Sequence, residues 1–206
     1  MSSRFRRFGL AVVILVSGVG FASAAQAQPK PNKPAPGFTA ETAAGQTISL
    51  AQFRGQPVIL EWTNHLCPFV QKHYDTGNMQ ALQTAMVEQG AVWISVISSA
   101  PGKQGQVDAD KALALTRERE AAPSHVVLDP GGELGRLYRA RATPHMFLID
   151  SGGLLRYMGA IDDQPSANPA TVKSAENYVK AAWTAVQKGD KPATQATRAY
   201  GCSVKY

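Results

Sequence analysis

Two periods of apolar residues alternate along this chain. Pro57-Val-Ile-Leu-Glu-Trp62 and Ala91 to Ile97 are almost continuous apolar runs of strand length, the pattern of strands buried on both faces. Val126-Val-Leu-Asp129 is a shorter run, and His145 to Asp150 with Leu154 to Ile161, joined by Ser151-Gly-Gly153, reads as a hairpin. Phe38 to Phe53, with the turn Ala44-Gly45-Gln46, predicts a small hairpin ahead of the core. Helical spacing takes over between these runs. A helix is expected to start near Cys67-Pro68, because proline is preorganised for a first helical position. Asp75-Thr-Gly-Asn78 interrupts it, and Asn78 is expected to cap a second helix from Met79 to Gln89, with Met79, Leu82 and Met86 on its buried face. Asp108 to Glu120 and Glu133 to Tyr138 also read as helices, as does Thr171 to Gln187, where Val172, Ala175, Val179 and Ala182 share a face. The order β-α-β-α-β-β-α with apolar central strands predicts one α/β domain, a mixed sheet with helices on both faces.

The two ends read differently from this centre. Arg4, Arg6 and Arg7 precede the apolar run Leu10 to Val16, which fades through small residues into Ala25-Gln-Ala27. That order is a secretory signal peptide over 1–27. Its apolar core is too short to span a bilayer, so stable membrane insertion after cleavage is not expected. Residues 28–37 form a proline-rich lead-in, the domain proper covers 38–188, and a polar tail, 189–206, carries the second cysteine. The formal charge of +6 resembles a nucleic-acid signal, but it is concentrated at the N-terminus. Without those three arginines, 18 basic residues face 15 acidic ones, and nucleic acid is not an expected partner. Export predicts a periplasmic or secreted location, where cysteines are usually paired, metal-bound or catalytic.

Cys67 follows a strand and opens a helix, where backbone N–H groups and the helix dipole stabilise a thiolate. Its neighbours Asn64, His65 and Pro68 point to an exposed turn and a reactive thiol; the other reading is a buried, inert cysteine. Glu61 sits inside an apolar strand, which predicts either a buried carboxyl with a raised pKa or a strand-edge carboxylate in water. His65 and His145 are candidates to approach the Cys67 sulfur, His73 reads as a helix-surface residue, and His125 as a strand start. Asp162 and Asp163 read as loop caps or cation contacts.

Trp62-Thr-Asn-His-Leu-Cys-Pro-Phe-Val70, together with Ala142-Thr-Pro-His-Met-Phe-Leu-Ile-Asp150, resembles the thioredoxin-fold redoxins. The chain is most similar to peroxiredoxin-like proteins of the alkyl hydroperoxide reductase and thiol-specific antioxidant group. Gly159-Ala-Ile-Asp-Asp163 and Tyr200-Gly-Cys-Ser-Val-Lys205 resemble recurrent segments of one branch of that group. The resemblance implies a thioredoxin-like fold, with Cys67 as the nucleophile, Pro144 as the cis proline facing it and Glu61 as a buried acid that assists proton transfer. The chain departs from the pattern at several places. Val70 replaces the second cysteine of a Cys-x-x-Cys motif, and Asn64 and Leu60 replace the threonine and proline that typically precede a peroxidatic cysteine. The peroxide-binding arginine would align near Pro144, leaving Arg139, Arg141 or Lys72 as substitutes.

Cys202 then has three readings: a resolving cysteine that forms a disulfide with oxidised Cys67, a permanent bridge that ties down the tail, or an unpaired thiol. The leading expectation is an exported thiol oxidoreductase acting on a peroxide or a disulfide, without a cofactor and with a thiol or disulfide reductant partner. The alternatives are a copper- or zinc-binding module built from Cys67, His65 and His145, and a redox-inactive partner of another envelope protein. The exported chain is expected to begin at Gln28, which the intact mass of protein from an envelope fraction measures. A full-length chain retained in membranes is the opposing result.

Overall fold

The computed structural model describes residues 28–206, so the expected export signal lies outside the described residues. A two-stranded hairpin, β1 (Thr39–Glu41) and β2 (Thr47–Ser49), leads into the strand β3 (Val58–Trp62). The helices α1 (Pro68–Asp75) and α2 (Asn78–Glu88) follow, then β4 (Val92–Ile97), α3 (Ala109–Glu118), β5 (His125–Leu128) and α4 (Glu133–Tyr138). The short strand β6 (Ala142–Thr143) precedes the hairpin β7 (His145–Ile149) and β8 (Leu155–Gly159), after which come α5 (Tyr178–Gln187) and a last short strand, β9 (Cys202–Ser203). The central sheet has the order β5-β4-β3-β7-β8. Strands β3, β4 and β5 are parallel, and β7 runs antiparallel to both β3 and β8. The apolar run Val58–Trp62 is thus the middle strand, which explains why every residue in it is buried.

Alternation along the strands sorts side chains onto two faces. Ile59, Met146 and Leu148 point toward Val70 and Tyr74 of α1, Met79, Leu82 and Met86 of α2, and Val179, Ala182 and Trp183 of α5. Leu60, Trp62, Phe147 and Ile149 point the other way, toward Leu134 and Tyr138 of α4 and the early residues Phe38, Leu50 and Phe53. Helices on both faces of a mixed sheet complete a thioredoxin-like α/β fold. No helix of the described residues is long and apolar enough to cross a membrane.

Two helix boundaries differ from the sequence expectation, both through capping. Gly77, in the left-handed region at φ 72°, takes the cap position before α2, and Asn78 becomes the first helical residue. Its side-chain amide instead pairs with His73 Nδ1 at 2.9 Å. The expected helix Thr171–Gln187 is two pieces. Asn168 caps a 3₁₀ turn, Pro169–Ser174, and Asn177 caps α5 by accepting from the Lys180 N–H. Between them Asp163 Oδ1 accepts the Glu176 N–H and the Tyr178 N–H reaches Ile161 O, so the break is held by the loop after β8.

The tail is fixed by backbone pairing, which its lack of an apolar face conceals in the sequence. Thr197 N–H donates to Met158 O and Met158 N–H to Gln195 O, extending the sheet past β8. The chain then passes the start of α1, where Tyr200 meets Phe69, and pairs β9 with β6. Beyond β9, Val204 N–H donates to Arg141 O and Ala100 N–H to Lys205 O. The Tyr206 hydroxyl donates to Ala140 O at 2.8 Å, and the Arg136 guanidinium lies 4.7 Å from the Tyr206 ring. The lead-in also packs: Asn32 N–H donates to Leu155 O, and Ala35 N–H to Gly153 O.

Tyr206→Ala removes that hydroxyl bond and stacking at the end of the tail. Amide exchange at Ala100 and Val204 should accelerate about fivefold or more, from a hydrogen bond worth ~1 kcal/mol. Amides of β4 should keep their protection. Hydrogen-exchange mass spectrometry measures both.

Candidate active site

After β3 ends at Trp62, five residues turn the chain into α1. Asn64 organises that turn: its side-chain oxygen accepts the Leu66 N–H at 2.9 Å and its carbonyl accepts the Cys67 N–H at 3.0 Å. Cys67 occupies the helix cap position with extended backbone, and Pro68 is the first helical residue. The expected strand-to-helix turn is present, but the expected exposure of Cys67 is corrected. Leu66 is 46% exposed, whereas Cys67 has 0% exposure and packs with Val70, Met146 and the partly buried Phe69, Tyr200 and Cys202. The tail supplies part of that cover, and its course over the turn follows from pairing that sequence periodicity does not register.

Three segments meet at the Cys67 sulfur. The Thr143–Pro144 peptide bond is cis, as the resemblance implies, and the Cys67 thiol donates to Thr143 O at 3.2 Å. Thr143 faces Cys202 in the β6–β9 register, and its hydroxyl reaches Cys202 O at 3.4 Å. Gly201 makes this approach possible. At φ +122° it adopts a backbone that other residues avoid, and a Cβ there would lie 2.1 Å from Thr143 O. Both cysteines are free thiols, so the structure holds the reduced pair.

The surroundings drive the two thiols apart. Burial pushes the Cys67 pKa up, but hydrogen bonds to the sulfur from the Cys202 thiol, Thr143 and the backbone at Cys202 and Val70 outweigh it. The Thr143 carbonyl opposes that trend by accepting the thiol proton. The net direction is below the ordinary thiol value. For Cys202, burial and then donation to Cys67 raise the pKa to about 11. Cys67 is therefore the group that ionises first.

The remaining candidates separate. Glu61 is fully buried in the central strand, which excludes the strand-edge carboxylate in water. It accepts hydrogen bonds from Tyr74 Oη at 2.9 Å, Trp93 Nε1 at 2.9 Å, Ser95 Oγ at 3.0 Å and Gln83 Nε2 at 3.2 Å. These donors offset the cost of burying the carboxylate. No hydrogen bond links it to Cys67 among the described residues. His65 is half-buried and borders a small cavity with Thr63, Tyr74 and Arg119, and burial, then Arg119 and Lys111, lower its pKa. His145 pairs with Trp62 across β3 and β7, and its ring lies 4.4 Å from Phe147, on the face opposite the one Cys67 shares with Met146. Burial and then Arg141 lower its pKa to about 4. The expected approach of His145 to Cys67 is thus corrected by strand alternation, and the metal trio of Cys67, His65 and His145 is not assembled. No cluster of three metal-ligating side chains is present among the described residues.

A second polar group beside the dithiol escapes sequence reasoning. Lys72 and His73 of α1 are buried, although His73 reads as a surface residue, and both approach Asp162 in the loop after β8. Burial, against the partial compensation of Asp162, lowers the His73 pKa to about 4. Lys72, one of the substitutes for a peroxide-binding arginine, instead donates to Gln164 O at 2.9 Å. The Tyr200 hydroxyl also donates to Asp162. Charged residues in an amphipathic helix read as solvent-facing; only the Asp-Asp pair at 162 and 163 offered a signal.

The sequence matches a family model described as AhpC/TSA family over residues 31–158. No curated protein matches it. Among solved structures, an uncharacterized conserved protein from Geobacillus kaustophilus aligns at TM-score 0.74 and 20% identity, over 86% of this chain and 92% of that one. A hypothetical protein from Sinorhizobium meliloti 1021 aligns at TM-score 0.73 and 22% identity, over 87% and 96%. A Chlorobium tepidum protein named as a thiol:disulfide interchange protein, DsbE, aligns at TM-score 0.52 and 22% identity, over 64% and 85%.

Titration of thiolate absorbance near 240 nm in the reduced, folded chain should show two separate steps. The sign follows from acids: a lowered pKa means the anion appears at lower pH. Cys67 should ionise at lower pH than an ordinary free thiol, and Cys202 should remain a thiol until about pH 11. Cys202→Ala deletes the thiol donor and should move the Cys67 step upward. An unchanged or lowered step contradicts this account of the thiolate.

Proposed function

The chain belongs to the AhpC/TSA family, and from that membership we propose that it is an exported thiol oxidoreductase whose Cys67 and Cys202 alternate between two thiols and one disulfide. The observation that carries this reading is the convergence of both cysteines on the Thr143 peptide, Cys67 donating to its carbonyl at 3.2 Å and Cys202 pairing with it across β6 and β9, with the Cys67 pKa lowered and the Cys202 pKa raised. Cys67 is the nucleophile because it ionises first, and Cys202 resolves it. The amino-terminal pattern Arg4 to Ala27 supports export.

The full burial of Cys67 favours a small oxidant of the peroxide class over a folded disulfide. The Cys67 thiolate attacks one peroxide oxygen, the O–O bond breaks, and the leaving alkoxide or hydroxide takes a proton. The Cys202 sulfur then attacks the Cys67 sulfenic sulfur, and water leaves with the displaced oxygen and the Cys202 proton. Cys202 is the half-buried member of the pair, so an external thiolate attacks there and releases Cys67, the better leaving group. Glu61 is proposed to support the site from behind, by tying Tyr74 of α1, the helix that Cys67 opens, to the central sheet. Exchange with small or flexible disulfides is the second reading, favoured by the exposed Leu66 beside the site.

Mass spectrometry before and after one equivalent of hydrogen peroxide tests the cycle. Wild type should lose two hydrogens and yield a Cys67–Cys202 peptide within one chain. Cys202→Ser should gain oxygen on Cys67, and Cys67→Ser should do neither. Oxygen accumulating on wild-type Cys202, or bridges only between chains, would overturn the assignment of roles.

A further inference from the structure

Asp162 is almost wholly buried, and its two oxygens serve different parts of the chain. Oδ1 accepts the Tyr200 hydroxyl and the Gln164 N–H, the latter at 3.0 Å. Oδ2 faces Lys72 Nζ at 3.7 Å and His73 Nε2 at 3.8 Å. Lys72 and His73 lie in α1, the helix that Cys67 opens, and Tyr200 lies two residues before Cys202. One carboxylate therefore joins the helix of one cysteine to the strand of the other.

The surrounding contacts reinforce that connection. Lys72 Nζ donates to Gln164 O at 2.9 Å and Thr171 Oγ1 at 3.4 Å, and sits 5.4 Å from the Tyr200 ring. The Tyr200 ring also meets Phe69 edge-on at 5.8 Å, and Phe69 is the second residue of α1. On the far side of Cys202 the tail is held separately, through Val204, Lys205 and Tyr206. Cys202 thus lies between two attachments, and the Tyr200–Asp162 bond is the upstream one. A tether at each side restricts the volume that a thiol samples, which raises its effective concentration at a fixed partner.

We infer that Asp162 is a positioning residue for the dithiol: through Tyr200 it holds Cys202 at Cys67, and through Lys72 it anchors that hold to the helix of the nucleophile. The inference rests on the Cys67–Cys202 cycle proposed above. It adds a cause for the proximity of the thiols that lies outside the thiols and the Thr143 peptide. Among the described residues Asp162 makes no hydrogen bond to either sulfur, so its effect is on the position of Cys202.

The test is the dithiol–disulfide equilibrium of the full chain in glutathione buffers, quantified by acid quench and alkylation. Bridge formation transfers two electrons and two protons to one oxidised glutathione, which leaves as two reduced molecules. Tyr200→Phe removes the hydroxyl and keeps the ring on Phe69 and Lys72. Its bridge equilibrium constant should fall about tenfold, the scale of one hydrogen bond to a charged group. Asp162→Asn should shift it in the same direction. Thr171→Val is the control, because it removes a partner of Lys72 without touching the tail, and its equilibrium should stay within about twofold of wild type. A Tyr200→Phe constant within twofold of wild type, or a Thr171→Val loss as large as that of Tyr200→Phe, overturns the positioning role while leaving the cycle intact. A wild-type chain that forms no Cys67–Cys202 bridge overturns the cycle and the positioning role together.

Discussion

The Thr143 peptide is the point on which the site depends. Its carbonyl accepts the Cys67 thiol, its residue pairs with Cys202, and its backbone leaves room only for glycine at 201. A two-residue strand with so few ladder bonds has little stability of its own. It forms because β7, next in the chain, is locked between β3 and β8 in the sheet. The sheet therefore fixes Thr143, Thr143 fixes Cys202, and the two together set the surroundings of Cys67. Deep strand order is converted into the position of one half-buried sulfur.

Buried polar groups on the helix side of the sheet follow a common rule. Glu61 has four side-chain donors from α1, α2 and β4, and each donor sits on an element that the carboxylate helps to pack. Asp162 gathers a hydroxyl, a backbone N–H and two basic side chains. Polar groups this deep are tolerated only when they are hydrogen-bonded or paired. Such partners confer direction, because each accepts or donates along a narrow angle. The helices α1 and α2 are thereby set against the strands by hydrogen bonds as well as by apolar packing.

The division of labour between the cysteines has the same origin. Cys67 combines a helix start with donors from the tail, while Cys202 donates and stays protonated. Neither property belongs to a cysteine alone. Val70 stands in the second position of a Cys-x-x-Cys motif, and the thiol of Cys202 is brought to the Thr143 peptide from the other end of the chain. In the proposed cycle a residue 135 positions away takes the part that a neighbour three positions away takes in a single-helix pair.

Sequence pattern alone determined the sheet, the hairpin, most helices and the place of Cys67 at a helix start. These are local or periodic properties: apolar runs, helical spacing, proline at a first turn and glycine at a hairpin. It also marked Thr143-Pro144, through resemblance. Tertiary structure alone decided the faces and the long-range pairs. His145 falls away from Cys67 because of the β3–β7 register, which no single strand encodes. Lys72, His73 and Asp162 are buried together although charge in a helix normally signals solvent. Tyr200 and Cys202 reach the site through backbone pairing of a tail without an apolar stripe. Backbone hydrogen bonds are available to every residue type, so their partners leave no mark in composition or period, and only the folded chain selects them.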